Sequence, residues 1–148
     1  MTVIAWDGKT LAADKQSTSA GYASVVTKVF RVPGGIVGFT GSQGHAAALL
    51  AWFRGGRDPE AWPAKGGEDS AGAIFIDADG RCWGYSGDDG PHAAMFENRF
   101  NAWGAGRDYA LAAMHLGKTA REACEVACLL DNCCGQGIDT LEIDGGLE

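Results

Sequence analysis

Thr2 carries the most chemistry within reach, because removal of Met1 would give one residue both a free amine and a hydroxyl. The amine of an amino-terminal Thr can serve as the general base for its own hydroxyl. A free α-amine has an ordinary pKa of about 7.7–8.0, so a nearby cation helps to hold it neutral near pH 7. A buried lysine, itself held by an acid, would supply that cation. Two residues qualify by position: Asp14, at the end of the apolar run Leu11-Ala-Ala, and Lys28, inside the apolar stretch Val25-Val-Thr-Lys-Val-Phe30. Each has a bland reading. Lys28 could point to solvent from an alternating strand, and Asp14 could be an ordinary strand-end acid. Buried charges demand partners, so the chemical reading requires the two to meet.

The elements that would bring them together begin at the first residue. Asp7-Gly8 breaks the first apolar run and supplies the turn of a hairpin ending at Asp14. Residues 15–20 read as a polar loop, and 22–32 as one strand, bent in the middle and closed by Pro33-Gly34-Gly35. Ile36–Thr40 is its hairpin partner. Ser42 is an N-cap for a helix with Ala46, Leu49, Leu50 and Phe53 on one face and Gly55-Gly56 at its end. Residues 57–69 read as a loop with at most one helical turn. A second hairpin follows, 71–76 and 81–85 around Asp77-Ala-Asp-Gly80. Residues 87–91 form a turn, and a strand runs within 95–103. One helix has Tyr109, Ala112, Ala113 and Leu116 on one face. Another starts at the Thr119/Glu122 capping box, with Ala123, Val126, Ala127 and Leu130 buried. A strand over 138–143 and a short tail close the chain. Two antiparallel sheets covered by helices, an α+β, four-layer α-β-β-α sandwich in one domain over residues 1–148, would place all of these elements.

The composition fits a globular domain: 148 residues, 46% hydrophobic and 21% charged. A net charge of -7 disfavours a nucleic-acid surface. No apolar run approaches the roughly 20 residues of a membrane span, and no signal-peptide pattern opens the chain, so a cytoplasmic location is expected. The five cysteines do not form a secreted disulfide framework. Cys124, Cys128, Cys133 and Cys134 lack paired metal-ligand spacing and read as reduced core residues. His45, His92 and His115 read as helix-surface or loop residues. Asp77, Asp79, Asp88 and Asp89 read as turn acids. Gly8-Lys9-Thr10 and Gly117-Lys118-Thr119 lack the earlier glycine of a phosphate loop. Trp6, Trp83 and Trp103 are expected in the sandwich core, Trp52 and Trp62 at a contact between copies. No metal or cofactor is expected.

Six motifs in order carry a resemblance: Thr2-Val-Ile-Ala, Leu11-Ala-Ala-Asp14-Lys, Lys28-Val, Gly38-Phe-Thr-Gly41, Trp103-Gly-Ala-Gly106 and Asp131-Asn-Cys-Cys-Gly135. The chain resembles the proteasome-type β-subunits of the N-terminal nucleophile hydrolases, most of all the short bacterial HslV-like members. The resemblance implies Thr2 as nucleophile, Lys28 as the cation that tunes its amine, and Asp14 as the acid that holds Lys28. It further implies the Gly41 amide as oxyanion donor, Asp131 as a positioning acid, and Cys134 where the family has Ser or Thr. Phe39 and Thr40 fall at substrate-binding positions. The chain departs from the pattern at Ala105, where the family has Ser, and in the outer helix that residues 57–69 replace.

The expected function is therefore threonine-type, proteasome-like peptide or amide hydrolysis. Its substrate would be a peptide or unfolded protein. The resemblance also implies a homo-oligomer and raises an ATP-dependent unfoldase as partner. The alternative is a catalytically silent structural or assembly protein retaining the fold.

Overall fold

The computed structural model describes residues 2–86 and 90–143. Met1, the turn acids Asp88 and Asp89 and the tail from Asp144 lie outside the described residues.

The first hairpin pairs β1 (Ile4–Trp6) with β2 (Thr10–Asp14), Ile4 opposite Ala13 and Trp6 opposite Leu11. Gly8 adopts φ +94° at its tip, and Asp7 Oδ1 accepts the amides of Lys9 and Thr10. Asp7 also reaches further, its Oδ2 accepting the Ala120 amide at 2.8 Å. That carboxylate ties the hairpin to a helix N-terminus, where unpaired amides favour negative charge. β10 (Asn101–Trp103) and β11 (Ile138–Glu142) flank the hairpin, giving a four-stranded sheet in the order β10-β1-β2-β11.

The second sheet is an antiparallel meander of five strands: β5 (Val29–Val32), β6 (Gly35–Gly41), β7 (Ala71–Asp77), β8 (Cys82–Ser86) and β9 (Ala93–Phe96). A separate ribbon pairs β3 (Gln16–Ser19) with β4 (Tyr22–Val25). Helix α1 (Gln43–Arg54) covers the five-stranded sheet, and α2 (Arg107–His115) and α3 (Ala120–Leu130) cover the other.

The strand period of two sorts the side chains into three apolar layers. Val3, Ala5, Ala12 and Ala102 face α2 and α3, where Ala110, Ala123, Cys124 and Ala127 are equally small. Small residues on both surfaces let the helix backbones lie close to the sheet. Ile4, Trp6, Leu11 and Ala13 face the opposite way, meeting Val29, Ile36, Ile74 and Ile76 between the sheets. Val37, Phe39, Ala73 and Phe75 pack outward under Leu49, Trp52 and Phe53 of α1. Each fully buried Ile, Leu or Phe side chain contributes about 1.5–3 kcal/mol to such layers.

Several expectations need correction. Residues 16–19 are a strand rather than a loop. Their Ser/Thr-rich sequence lacks apolar alternation, and pairing with β4 through the positive-φ turn Ala20-Gly21 makes them a strand. The stretch 22–32 is two strands, so Lys28 lies at the break just before β5. The Lys28 carbonyl nevertheless accepts the Phe39 amide and continues the β5–β6 pairing. Residues 57–69 contain two short 3-10 turns, Pro59–Ala61 and Gly67–Asp69. The strand expected within 95–103 is divided between two sheets, as β9 and β10. On α2 the buried stripe is Ala110, Ala113 and Met114, leaving Tyr109 and Leu116 exposed. On α3 it is Ala120, Ala123, Cys124 and Ala127, with Leu130 exposed. In both helices the face against the sheet is mostly alanine, with Met114 its one large side chain on α2 and Cys124 on α3, so the helices lie close to the sheet.

Trp52 is buried and packs edge-on against Phe53, Trp62 and Tyr85. The two tryptophans expected at a contact between copies thus belong to the α1 layer. Trp83 joins that layer too, rather than the space between the sheets, and its Nε1 donates to Asp77. Among the described residues, no helix is long and apolar enough to cross a membrane.

Candidate active site

Thr2, Asp14 and Lys28 converge although no two share an element. Thr2 precedes β1, Asp14 ends the strand paired with it, and Lys28 enters the facing sheet. All three are buried, at 3%, 0% and 8% exposure. Lys28 Nζ lies 2.6 Å from Thr2 Oγ1 and 2.7 Å from Asp14 Oδ1. Thr2 Oγ1 donates to Asp14 Oδ1 at 2.9 Å. The hydroxyl is thus held between an ammonium and a carboxylate.

Asp14 is the anchor. Besides Thr2 and Lys28, it accepts the amides of Val3, Gln16 and Gly135. Five donors around one buried carboxylate replace the water it has lost, which is the condition for burying a charge.

The loop after β10 holds Thr2 from the other side. The Gly106 amide donates to the Thr2 carbonyl at 3.0 Å. Gly104 has φ +96°, and a Cβ there would sit 2.3 Å from the Thr2 carbonyl oxygen. A Cβ on Gly106 would meet Val3, Ala127 and Cys134 at 2.9–3.1 Å. Only glycine permits this approach at both positions. Ala105, between them, is exposed.

Gly41 ends β6 at φ +91°, and a Cβ there would lie 2.5 Å from the Ser70 carbonyl oxygen. Together with Thr2 and Lys28 it lines an open cleft of about 310 Å³. Phe30, Phe39, Ala46, Ala47 and Leu50 form the apolar wall, and Gln16, Ser17 and Thr18 of the ribbon form a polar one. Phe39 is therefore in the cleft. Thr40 is not among its lining residues; its Oγ1 lies 3.4 Å from where a Cβ on Gly72 would be.

Asp131 ends α3, where its Oδ1 accepts the Cys133 amide and its carbonyl accepts the Cys134 amide. The turn it fixes delivers the Gly135 amide to Asp14. Cys134 is buried, and burial, aided by the charges of Asp14 and Asp131, pushes its thiol up to about 12. The thiol is protonated at neutral pH. Cys124 is buried as well, while Cys128 and Cys133 are half-buried. Among the described residues, no group of His, Cys, Asp and Glu could hold a metal ion.

Sequence reasoning missed Gln16, buried with its Nε2 on Thr18 Oγ1 and the Asn132 carbonyl. It also missed His45, which is buried rather than on the helix surface. A histidine three residues after an N-cap serine, ahead of an apolar stripe, was the available signal.

The first strand of this four-layer sandwich leads out of a buried Thr that meets Asp14 at the end of the paired strand and Lys28 just before the facing sheet. The chain has the proteasome-type, HslV-like N-terminal nucleophile hydrolase fold. Thiobacillus denitrificans BPH in complex with epoxomicin superposes with a TM-score of 0.75 at 18% identity, over 96% of this chain and 97% of that one. A second structure of Thiobacillus denitrificans BPH gives 0.72 at 18%, covering 99% and 100% of the two chains. Eukaryotic HslV from Trypanosoma brucei gives 0.63 at 20%, covering 96% and 98%. No family model matches the sequence, and no curated protein does.

Proposed function

We propose that this protein is a threonine-type peptidase or amidohydrolase, with Thr2 as nucleophile once Met1 is removed. The observation that carries this reading is the buried Thr2 hydroxyl at the head of the cleft, 2.6 Å from Lys28 Nζ. In this mechanism Thr2 Oγ1 attacks the substrate carbonyl carbon and passes its proton to the freed amine. The Lys28 ammonium disfavours a second positive charge on that amine and so keeps it neutral, with its lone pair free to take the proton. Asp14 holds Lys28 in place. The Gly41 amide, beside the cleft, meets the developing oxyanion, a task suited to a preorganised backbone donor. Asp131 acts indirectly by fixing the turn that brings Gly135 to Asp14. The amine then returns its proton to the leaving group, and water hydrolyses the ester on Thr2.

The apolar wall formed by Phe30, Phe39 and Leu50 supports peptides with an apolar side chain at the cleaved position. The protein would act as a homo-oligomer on peptide or unfolded chains, with an unfoldase as candidate partner. Sedimentation velocity tests the first, and ATPase-dependent degradation of a folded substrate tests the second.

The test of the chemistry is hydrolysis of a fluorogenic peptide by protein whose mass begins at Thr2. Activity disappears in Thr2→Ala and falls sharply in Lys28→Ala. Epoxomicin, with which the Thiobacillus protein is solved, inhibits the wild type. Unchanged hydrolysis in Thr2→Ala rejects the assignment. A silent assembly protein is the second reading, favoured by Ala105, whose methyl cannot make the hydrogen bond of the Ser that the resemblance implies at that position. Full retention of Met1 in the native cell selects it.

A further inference from the structure

We propose that His45 is a positioning residue that holds the Gly41 turn in register with the cleft. His45 is 6% exposed, in the first turn of α1, and both of its ring nitrogens are engaged. Nδ1 accepts the Ala71 amide at 2.8 Å, so it carries no proton. The ring proton is then on Nε2, which donates to the Pro63 carbonyl at 2.6 Å.

These two bonds reach different places. Pro63 belongs to the outer loop over α1. Ala71 opens β7 and is the register partner of Gly41. Ser70 and Ala71 form the surface against which Gly41 is set: a Cβ on Gly41 would come within 2.5 Å of the Ser70 carbonyl oxygen and 3.0 Å of Ala71 Cα. The Ser42 amide donates to that same Ser70 carbonyl at 3.1 Å, and Ser42 Oγ caps the His45 amide. A closed circuit results, from Gly41 through Ser42 to His45, across the imidazole to Ala71 and Ser70, and back to Gly41. In this circuit the imidazole is the side-chain hydrogen bond that joins α1 to β7. Shift Ala71, and Gly41 loses the surface that fixes its amide.

The catalytic consequence rests on reading Gly41 as the oxyanion donor. Two isosteric substitutions separate the two ring nitrogens. His45→Asn keeps an acceptor where Nδ1 was and abandons Pro63. His45→Gln keeps a donor near Nε2 and abandons Ala71. Positioning of Gly41 predicts that His45→Asn retains kcat to within roughly threefold while His45→Gln loses about tenfold or more, KM holding in both, against the 10²–10³ that outright loss of an oxyanion donor costs. A purely structural loop clamp predicts the reverse order or equal losses, and either result overturns the proposal. Amide hydrogen exchange over residues 41–45 and 70–72, measured in Thr2→Ala protein, gives a readout that needs no activity. Exchange is faster in His45→Gln than in His45→Asn; equal rates or the opposite order overturn the linkage. A wild-type enzyme with no Thr2-dependent hydrolysis sinks the nucleophile reading instead, and the exchange rates then decide His45 on their own.

Discussion

At the scale of the residue, Asp14 and Lys28 are not equivalent halves of an ion pair. Asp14 accepts five donors, three of them backbone amides, whereas Lys28 meets Asp14 through one contact, Nζ to Oδ1 at 2.7 Å, the ion pair it makes among the described residues. Removing one member of a buried pair typically costs about 3–5 kcal/mol, because the other charge is left uncompensated. Asp14→Leu removes the acceptor shared by the ammonium, the Thr2 hydroxyl and three amides, and its loss is expected at the upper end of that range. Lys28→Met leaves a carboxylate still solvated by amides and costs clearly less. Urea denaturation of the two variants measures the order, and equal losses would contradict this account. Both residue types were conspicuous in the sequence. Their pairing was not, because no local pattern records a contact between residues 14 positions apart on facing sheets.

At the scale of the element, the loop after β10 and the turn after β7 carry their own predictions. Gly104→Ala places a methyl 2.3 Å from the Thr2 carbonyl oxygen at φ +96°. The unfavourable backbone angle alone costs on the order of 1 kcal/mol, and relief of the clash must move Thr2. The variant is expected to lower the urea midpoint and to abolish hydrolysis together. In the turn, burial raises the Asp77 carboxyl, but hydrogen bonds from Trp83, Arg81 and the Asp79 amide outweigh it and hold the group below its ordinary value. A depressed folded-state pKa stabilises the protein above the unfolded value, about 3.9, and that contribution fades as pH falls through the folded one. The stability difference between wild type and Asp77→Asn should therefore be constant near neutrality and shrink below about pH 4. Hairpin turns, the Ser42 cap and the Thr119/Glu122 box were legible because each is a local pattern. The β3 strand and the faces of α2 and α3 were not. A polar strand exists only through its partner, and a helix rotates until its small side chains meet the sheet.

At the scale of the whole molecule, the sandwich leaves Leu116 and Leu129 at 80% and 84% exposure on the outer helices. Replacing both by Gln should change chain stability by no more than about 0.5 kcal/mol per site, as for other surface substitutions. A larger loss, measured by denaturation, would mean that these residues are covered in the protein in solution. The sequence by itself determined most of the element order, β3 and the divided strands excepted, the four-layer architecture and the residue types a threonine nucleophile would need, because apolar period, turn glycines and helix caps act over a few residues. Only the tertiary structure decided that Thr2, Asp14 and Lys28 meet, that Gly104 and Gly106 clamp Thr2, and that His45 links α1 to β7. Those contacts join segments distant in sequence, and their geometry is set by how the two sheets stack.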